Sequence, residues 1–446
     1  MDKAAIILAA GQGTRMKSSL PKVLHKVAGL PMLGHVVKAL RGAGVDRIVV
    51  VTAPSGDAVR AYAAALGCAT AIQDRQLGTG HAAAAARQAL AGFDGTLVIA
   101  AGDAPLVTPE TVSDLLRAQA RTGLALTAFN AADPAAYGRV LMTPDGFLGR
   151  IVEFKDASES ERRITLCNSG LYAAEAAKFF RWAAALKNEN AQGEYYLTDV
   201  PVIARAEGVK CALAFADEAV VTGVNSRAEL AGAEALMQQA IRRRFLDAGV
   251  GMTAPETVYF SHDTEIGGDT QIEPFVVFGP GVAVDGGAVI RAYSHLEGAK
   301  VAAGAIVGPY ARLRPGADIG EGAHIGNFVE VKNAAIGAGA KANHLTYLGD
   351  AVVGPKANIG AGTITCNYDG FGKYETEIGA GAFIGSDTAL VAPVRIGEGA
   401  ITAAGSVITK DVEAGALAVA RGRQVQKSGW ASAFRAAKGE ERSRKR

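Results

Sequence analysis

Aromatic residues are scarce, at 6% of the chain, and charge of one sign is scarcer still, with a formal net charge of +2. That balance, without any long basic stripe, excludes a global electrostatic case for nucleic acid. No apolar run approaches the roughly 20 residues a bilayer-spanning helix needs, so no membrane insertion is expected. Ala4–Ala10 imitates a signal-peptide core, but it lacks a convincing basic start. Gly11-Gln12-Gly13-Thr14-Arg15 also stands where a cleavage region belongs, so the segment reads as a buried strand. Only four cysteines occur, Cys68, Cys167, Cys211 and Cys366, far apart and in no metal-type pair. With no secretion signal they read as free thiols of a cytoplasmic protein.

Glycine is what the chain has in plenty, 55 residues, without the every-third spacing of collagen. The 446 residues suggest two or three domains at about 150 residues each. Residues 1–250 hold 23 glycines and residues 251–446 hold 32, so the composition shifts near the middle. In the first part, short apolar runs (Ile6–Ala9, Ile48–Val51, Leu97–Ala100) alternate with helical patterns such as Met32–Arg41. Thr108-Pro109-Glu110 is a helix start, with a capping side chain, a fixed first turn and an early acid, and Gly123 is a stop. Such alternation predicts an α/β architecture, a mostly parallel Rossmann-like sheet with ligands at the carboxyl ends of its strands. Ser226 and Glu229 have capping-box spacing and open a connecting helix to about Gly249.

The second part is strictly periodic. Ile266, Ile272, Phe278, Val284, Ile290 and Leu296 are six residues apart, and Val301 to Val331, Ile336 to Ile359 and Ile378 to Ile408 continue the series. Six matches neither a helical turn nor a hairpin series. It predicts a parallel β-helix in which each hexapeptide forms one flat side, three sides form a coil, and the anchor points inward. Small or glycine residues are expected at the corners. The rhythm breaks between Thr365 and Ile378, so Cys366–Lys373 must leave the stack as a loop, and loops on rigid scaffolds often carry function. After Lys427 the pattern is lost and the tail is expected to fray. The expected division is 1–225, a linker helix 226–250, the β-helix 251–427 and a tail 428–446.

Leu8-Ala9-Ala10-Gly11-Gln12-Gly13-Thr14-Arg15-Met16 follows the first apolar run. Met16 stands where both a Walker A motif and a dinucleotide fingerprint need glycine, so neither applies. Arg15 within the loop and Lys22 just beyond it supply two cations for phosphate charge. In the β-helix, Arg314 and Lys332 are 18 residues apart, one coil, and two cations so placed repel unless an anion bridges them or a carboxylate such as Glu330 intervenes. His344 is of the residue type that suits a general base near neutral pH.

Leu-Ala-Ala-Gly-x-Gly-Thr-Arg-Met followed by Pro-Lys-Val-Leu resembles the signature of sugar-1-phosphate nucleotidyltransferases. Gln76-Leu77-Gly78-Thr79-Gly80-His81, Ala101-Gly102-Asp103, Tyr137-Gly138-Arg139, Cys167-Asn168-Ser169-Gly170 and Gly223-Val224-Asn225 agree with it. With a hexapeptide second half, the whole chain resembles the bacterial bifunctional N-acetylglucosamine-1-phosphate uridyltransferase/glucosamine-1-phosphate acetyltransferase family. The resemblance implies a nucleotidyltransferase domain followed by a left-handed β-helix, commonly assembled as a homotrimer. It implies that Leu8, Ala9, Gly11, Lys22, Gln73, Gly78, Thr79, Gly138, Glu153, Asn168 and Asn225 bind UTP and the UDP-sugar. Arg15 and Lys22 would act on the phosphates, and Asp103 with Asn225 would hold Mg²⁺. Ala101 stands where relatives can carry tyrosine.

For the second site the resemblance implies His344 as the base that activates the amine of glucosamine-1-phosphate, with Asn367 orienting that base or supporting the oxyanion. Arg314, Lys332, Tyr347, Asn358 and Lys373 would bind the sugar phosphate. Ala361, Asn367, Tyr368, Ser386, Ala404 and Arg421 would contact acetyl-CoA. The expected small-molecule partners are therefore UTP, acetyl-CoA, glucosamine-1-phosphate and N-acetylglucosamine-1-phosphate. Two other readings compete: a single-activity hexose-1-phosphate nucleotidyltransferase with a regulatory or oligomerising β-helix, and a non-enzymatic scaffold. The first predicts no thioester chemistry, and the second leaves Arg15, Lys22 and Asp103 without purpose.

Overall fold

A computed structural model describes residues 2–444. The chain divides into two units: one runs to Arg244 and includes Phe260–His262, and the other takes Phe245–Tyr259 and the chain from Asp263 onward.

In the first unit the three expected apolar runs become the strands Lys3–Ala9, Arg47–Thr52 and Thr96–Ala101, paired in parallel. They lie in a nine-stranded sheet. Leu166–Glu175 runs antiparallel between Thr96–Ala101 and Leu124–Asn130, so the sheet is more mixed than the mostly parallel one expected. Alternate residues of one strand face opposite layers: Ile6 and Val49 pack with Leu90, Phe179 and Trp182, while Ile7 and Val50 pack with Val36, Leu40 and Leu115. Covering both faces is why these strands read as continuous apolar runs. The capped helix spans Pro109–Thr122, with Thr108 accepting from the Thr111 N–H and Gly123 closing it at φ 87°. All of this sets the carboxyl ends of Lys3–Ala9 and Thr96–Ala101 side by side, where the glycine loop and Asp103 begin. The helix after Ser226 runs Arg227–Asp247.

The second unit is a parallel β-helix. Strands of two to seven residues stack in three columns, each pairing in register with strands about a coil away, as in Ile272↔Ile290↔Val307. Every periodic anchor except half-buried Ile266 is buried. Glycine takes many corners at positive φ, as at Gly281, Gly298 and Gly316, but one line of corners departs from expectation. Phe275, Tyr293, Tyr310 and Phe328 occupy left-handed positions at φ 61°, 60°, 55° and 56°. Their rings stack coil on coil at 5.0, 4.9 and 5.3 Å between centroids. Contact between aromatic faces, about 0.5–1.5 kcal/mol a pair, offsets the backbone penalty that glycine would avoid. The stack ends one strand at Cys366 and resumes at Thr376, leaving the expected loop outside.

The tail also departs from expectation. It forms a helix over Trp430–Arg444 with no buried residue. Trp430 stacks on Phe434 at 5.1 Å and Lys438 pairs with Glu441 at 2.7 Å, local contacts at helical spacing within an alanine-rich run. Lys445 and Arg446 lie outside the described residues. Among the described residues no helix is long and apolar enough to cross a membrane.

Candidate functional sites

In the first unit a cavity of about 320 Å³ opens at the strand ends. Leu8, Ala9, Gly11, Lys22, Gln73, Gly78, Thr79 and Asp103 all line it. The glycines have distinct tasks. Gly13 is left-handed at φ 62°, and a Cβ there would lie 2.7 Å from the Cβ of Lys22. At Gly78, φ 104°, a Cβ would lie 2.6 Å from the Tyr195 carbonyl oxygen. Gln73 is buried and donates its amide to the Gly78 carbonyl at 3.1 Å, and His81 Nδ1 lies 3.2 Å from the same nitrogen.

Lys22 follows Pro21 on a short helical turn, and its Nζ donates to Asp103 Oδ2 and, at 2.8 Å, to Asn225 Oδ1. The Val224 N–H to Asp103 carbonyl bond, 2.9 Å, ties the segments that carry those two oxygens. Two hard oxygens that converge on one positive group fit a divalent ion that keeps its remaining positions for water and phosphate. Arg15 is exposed on the turn Thr14–Met16, outside the lining.

Gly138, Glu153 and Asn168 form a neighbouring group. The Asn168 N–H donates to the Gly138 carbonyl at 2.9 Å, and Thr198 Oγ1 donates to Glu153 Oε1 at 3.1 Å. Burial pushes the Glu153 carboxyl above its usual range, with Asp156 and Asp199 adding to the effect and Thr198 opposing it. Asn168 Oδ1 accepts from the Gly170 N–H at 2.8 Å, beside a bulge in its strand.

On the β-helix, Leu313 pairs with Val331, so Arg314 and Lys332 do follow one another by a coil. Glu330, however, accepts from Arg314 at 2.8 Å, so this cation is partnered. Lys332 instead meets Lys373 from the extruded loop, and that contact, with burial and Arg314 behind it, pushes the Lys332 ammonium down. Asp350 is the nearby carboxylate. Burial works against its charge, but donors from Asn333, 2.6 Å away, and Asn367 outweigh it and hold its carboxyl low. Asn367 is thus occupied by Asp350. The side chain set on the His344 ring is Asn327, its Oδ1 2.8 Å from Nδ1, while the Asn367 amide donates to Asp350.

The Tyr347 ring covers Gly349, where a Cβ would lie 2.2 Å from its hydroxyl oxygen. Asn358 pairs in the column between Lys341 and Phe383. Ala361, Ser386 and Ala404 climb one corner: the carbonyl of Ala361 accepts from Asp387 N–H at 2.7 Å, and that of Ser386 from Gly405 N–H at 2.7 Å. Arg421 donates to the Ala404 carbonyl at 2.8 Å and continues the line. Tyr368 is exposed and closes the loop through Gly370 at 2.7 Å.

A MobA-like NTP transferase domain matches residues 5–170, and bacterial transferase hexapeptide repeats match residues 298–333 and 375–410. Over 435 residues the chain is 54% identical to the bifunctional protein GlmU of Jannaschia sp. (strain CCS1), covering 97% of this chain and 96% of the relative. It is 57% identical to that of Acidiphilium cryptum (strain JF-5) over 444 residues, 98% of this chain and 100% of the relative. The chain belongs to the GlmU family. Between the two hexapeptide matches the coil continues through Glu330–Ile336 and Tyr347–Val353, paired in register, before the loop after Cys366 leaves it. The sequence reading missed Gln76, whose amide donates to the Ala10 carbonyl at 2.5 Å in the cavity wall, and Glu194 opposite. It also missed Asn327 and Asp350. Asn327 was within reach, since it precedes His344 by 17 residues, about one coil.

Proposed function

We propose a division of labour for the two sites. The chain is a bifunctional enzyme of UDP-N-acetylglucosamine synthesis: it acetylates glucosamine-1-phosphate and transfers uridylyl from UTP to N-acetylglucosamine-1-phosphate. One observation carries the assignment: relatives matched along nearly their whole length are bifunctional, and each unit here has its own polar site.

In the first unit, Leu8, Ala9, Gly11, Gln73, Gly78 and Thr79 receive the nucleotide, while Gly138, Glu153 and Asn168 hold the sugar. A phosphate oxygen of the sugar attacks the α-phosphorus; that O–P bond forms as the α–β bridge breaks and pyrophosphate leaves. Lys22 and Arg15 neutralise the phosphates and hold them in line, so positioning and charge carry the acceleration. Asp103 and Asn225 would hold Mg²⁺, which would supply further neutralisation of the phosphate oxygens.

On the β-helix, Lys332 and Lys373, with Arg314, Tyr347 and Asn358, receive the sugar phosphate, and two lysines in contact gain most from an anion. Ala361, Tyr368, Ser386, Ala404 and Arg421 receive acetyl-CoA, with Asn367 beside the carbonyl. The amine attacks the thioester carbon, His344 takes its proton, and the C–S bond breaks to release coenzyme A, which leaves with the proton. A cytoplasmic homotrimer is the proposed setting. It is supported by the unpaired thiols and by the exposed in-register column Phe383, Ile401 and Leu417.

The test is a pair of substitutions. Asp103→Ala should abolish uridylyl transfer and spare thiol release from acetyl-CoA with glucosamine-1-phosphate, and His344→Ala should do the reverse. If either one silences both reactions in folded protein, the division is wrong.

A further inference from the structure

We propose that Asn327 is a positioning residue for the acetyl transfer: its side-chain carbonyl holds the His344 ring with the proton on Nδ1, leaving the Nε2 lone pair for the substrate amine. The proposal rests on His344 as the base and names what makes it one.

The geometry follows from the coil. The strands His324–Asn327 and Lys341–His344 are parallel neighbours with Asn327 and His344 directly paired. Both residues precede a left-handed corner, Phe328 at φ 56° and Leu345 at φ 51°, and the Leu345 N–H donates to the Asn327 carbonyl at 3.0 Å. Gly326 lets the corners approach, since a Cβ there would lie 2.0 Å from the Asn343 carbonyl oxygen. Equivalent side chains on stacked coils leave in the same direction about 4.8 Å apart. A short amide one coil back therefore reaches Nδ1, the ring nitrogen nearer the backbone, and not Nε2. The contact is 2.8 Å, to Oδ1. A carbonyl oxygen only accepts, so Nδ1 must carry the hydrogen. Were the amide NH₂ turned to the ring instead, the proton would sit on Nε2 and the base would be blocked.

The surroundings of the ring are cationic. The hollow of about 180 Å³ beside Asn327 is lined by Arg291, His324, Asn343 and His344. Burial, then Arg291 and Lys341, hold the His324 imidazole below its usual pKa. None of the residues lining this hollow is a carboxylate, so the side chain that meets the ring there is the neutral amide of Asn327.

The experiment uses the full chain with ¹⁵N-labelled histidine. In the wild type, His344 should show a protonated Nδ1 and a bare Nε2. In Asn327→Ala the ring should populate the other tautomer and kcat for acetyl transfer should fall about 10- to 100-fold, less than the full 10²- to 10⁴-fold that a positioned base supplies. KM should stay within about twofold, and an unchanged melting temperature of the second unit reports folding. Asn327→Asp keeps the acceptor but favours the imidazolium, so activity should return at alkaline pH with the acidic limb of the rate profile moved upward. A proton on Nε2 in the wild type, or an Ala variant with unchanged tautomer and kcat, would overturn the proposal. Retained acetyl transfer in His344→Ala would instead overturn the base assignment on which it rests.

Discussion

At the scale of single residues, environment decides what a side chain does, and Glu153 shows it. Its folded-state pKa is raised, chiefly by burial, so the native protein binds its proton more tightly than the unfolded chain does. Linkage then makes the first unit lose stability as pH rises from the ordinary glutamate value through the raised one. In Glu153→Gln that portion of the fall should be missing. Melting curves of the variant and wild type at several pH values from about 4 to 7 check this, given the reference pKa near 4.3. No composition or spacing could announce such a shift, because Glu153 stands in the sequence like any surface acid. Asp103 and Lys22 were legible through the motifs around them. Asp350 was not, since its role comes from Asn333 and Asn367 meeting it across the stack.

At the scale of elements, periodicity was readable wherever burial enforces it. The six-residue rhythm follows from an anchor that must be apolar once per side, whereas the corners follow from contact between coils, which no single hexapeptide displays. That is why glycine was expected where Phe275, Tyr293, Tyr310 and Phe328 stack. The antiparallel strand Leu166–Glu175 escaped for a related reason: its apolar run looks the same in either direction. Ile290 is fully buried between Ile272 and Val307. Ile290→Ala should destabilise the second unit by about 2–5 kcal/mol through lost contacts and the cavity left behind. Acetyl transfer should be lost at lower temperature than in the wild type, while the temperature at which uridylyl transfer fails stays put.

At the scale of the whole molecule, the chain does not change units at one point. Gln238 is buried at 1% exposure; its amide donates to the Phe260 carbonyl at 2.7 Å and its carbonyl accepts from the Phe260 N–H at 2.9 Å. The His262 N–H donates to the Ala28 carbonyl at 2.8 Å. A fragment 1–250 strips those partners away, and a buried amide left without them costs about 1–3 kcal/mol. Calorimetry should show fragment 1–262 melting above fragment 1–250. The prism has the opposite economy at its loop. Thr376 takes its place against Ala351 in the same register that the unbroken coils keep. Residues 368–375 are therefore an interchangeable appendage: Lys373 and Tyr368 can be traded for other chemistry without moving a coil, so one scaffold can be refitted for a different acceptor by rewriting a single outgrowth.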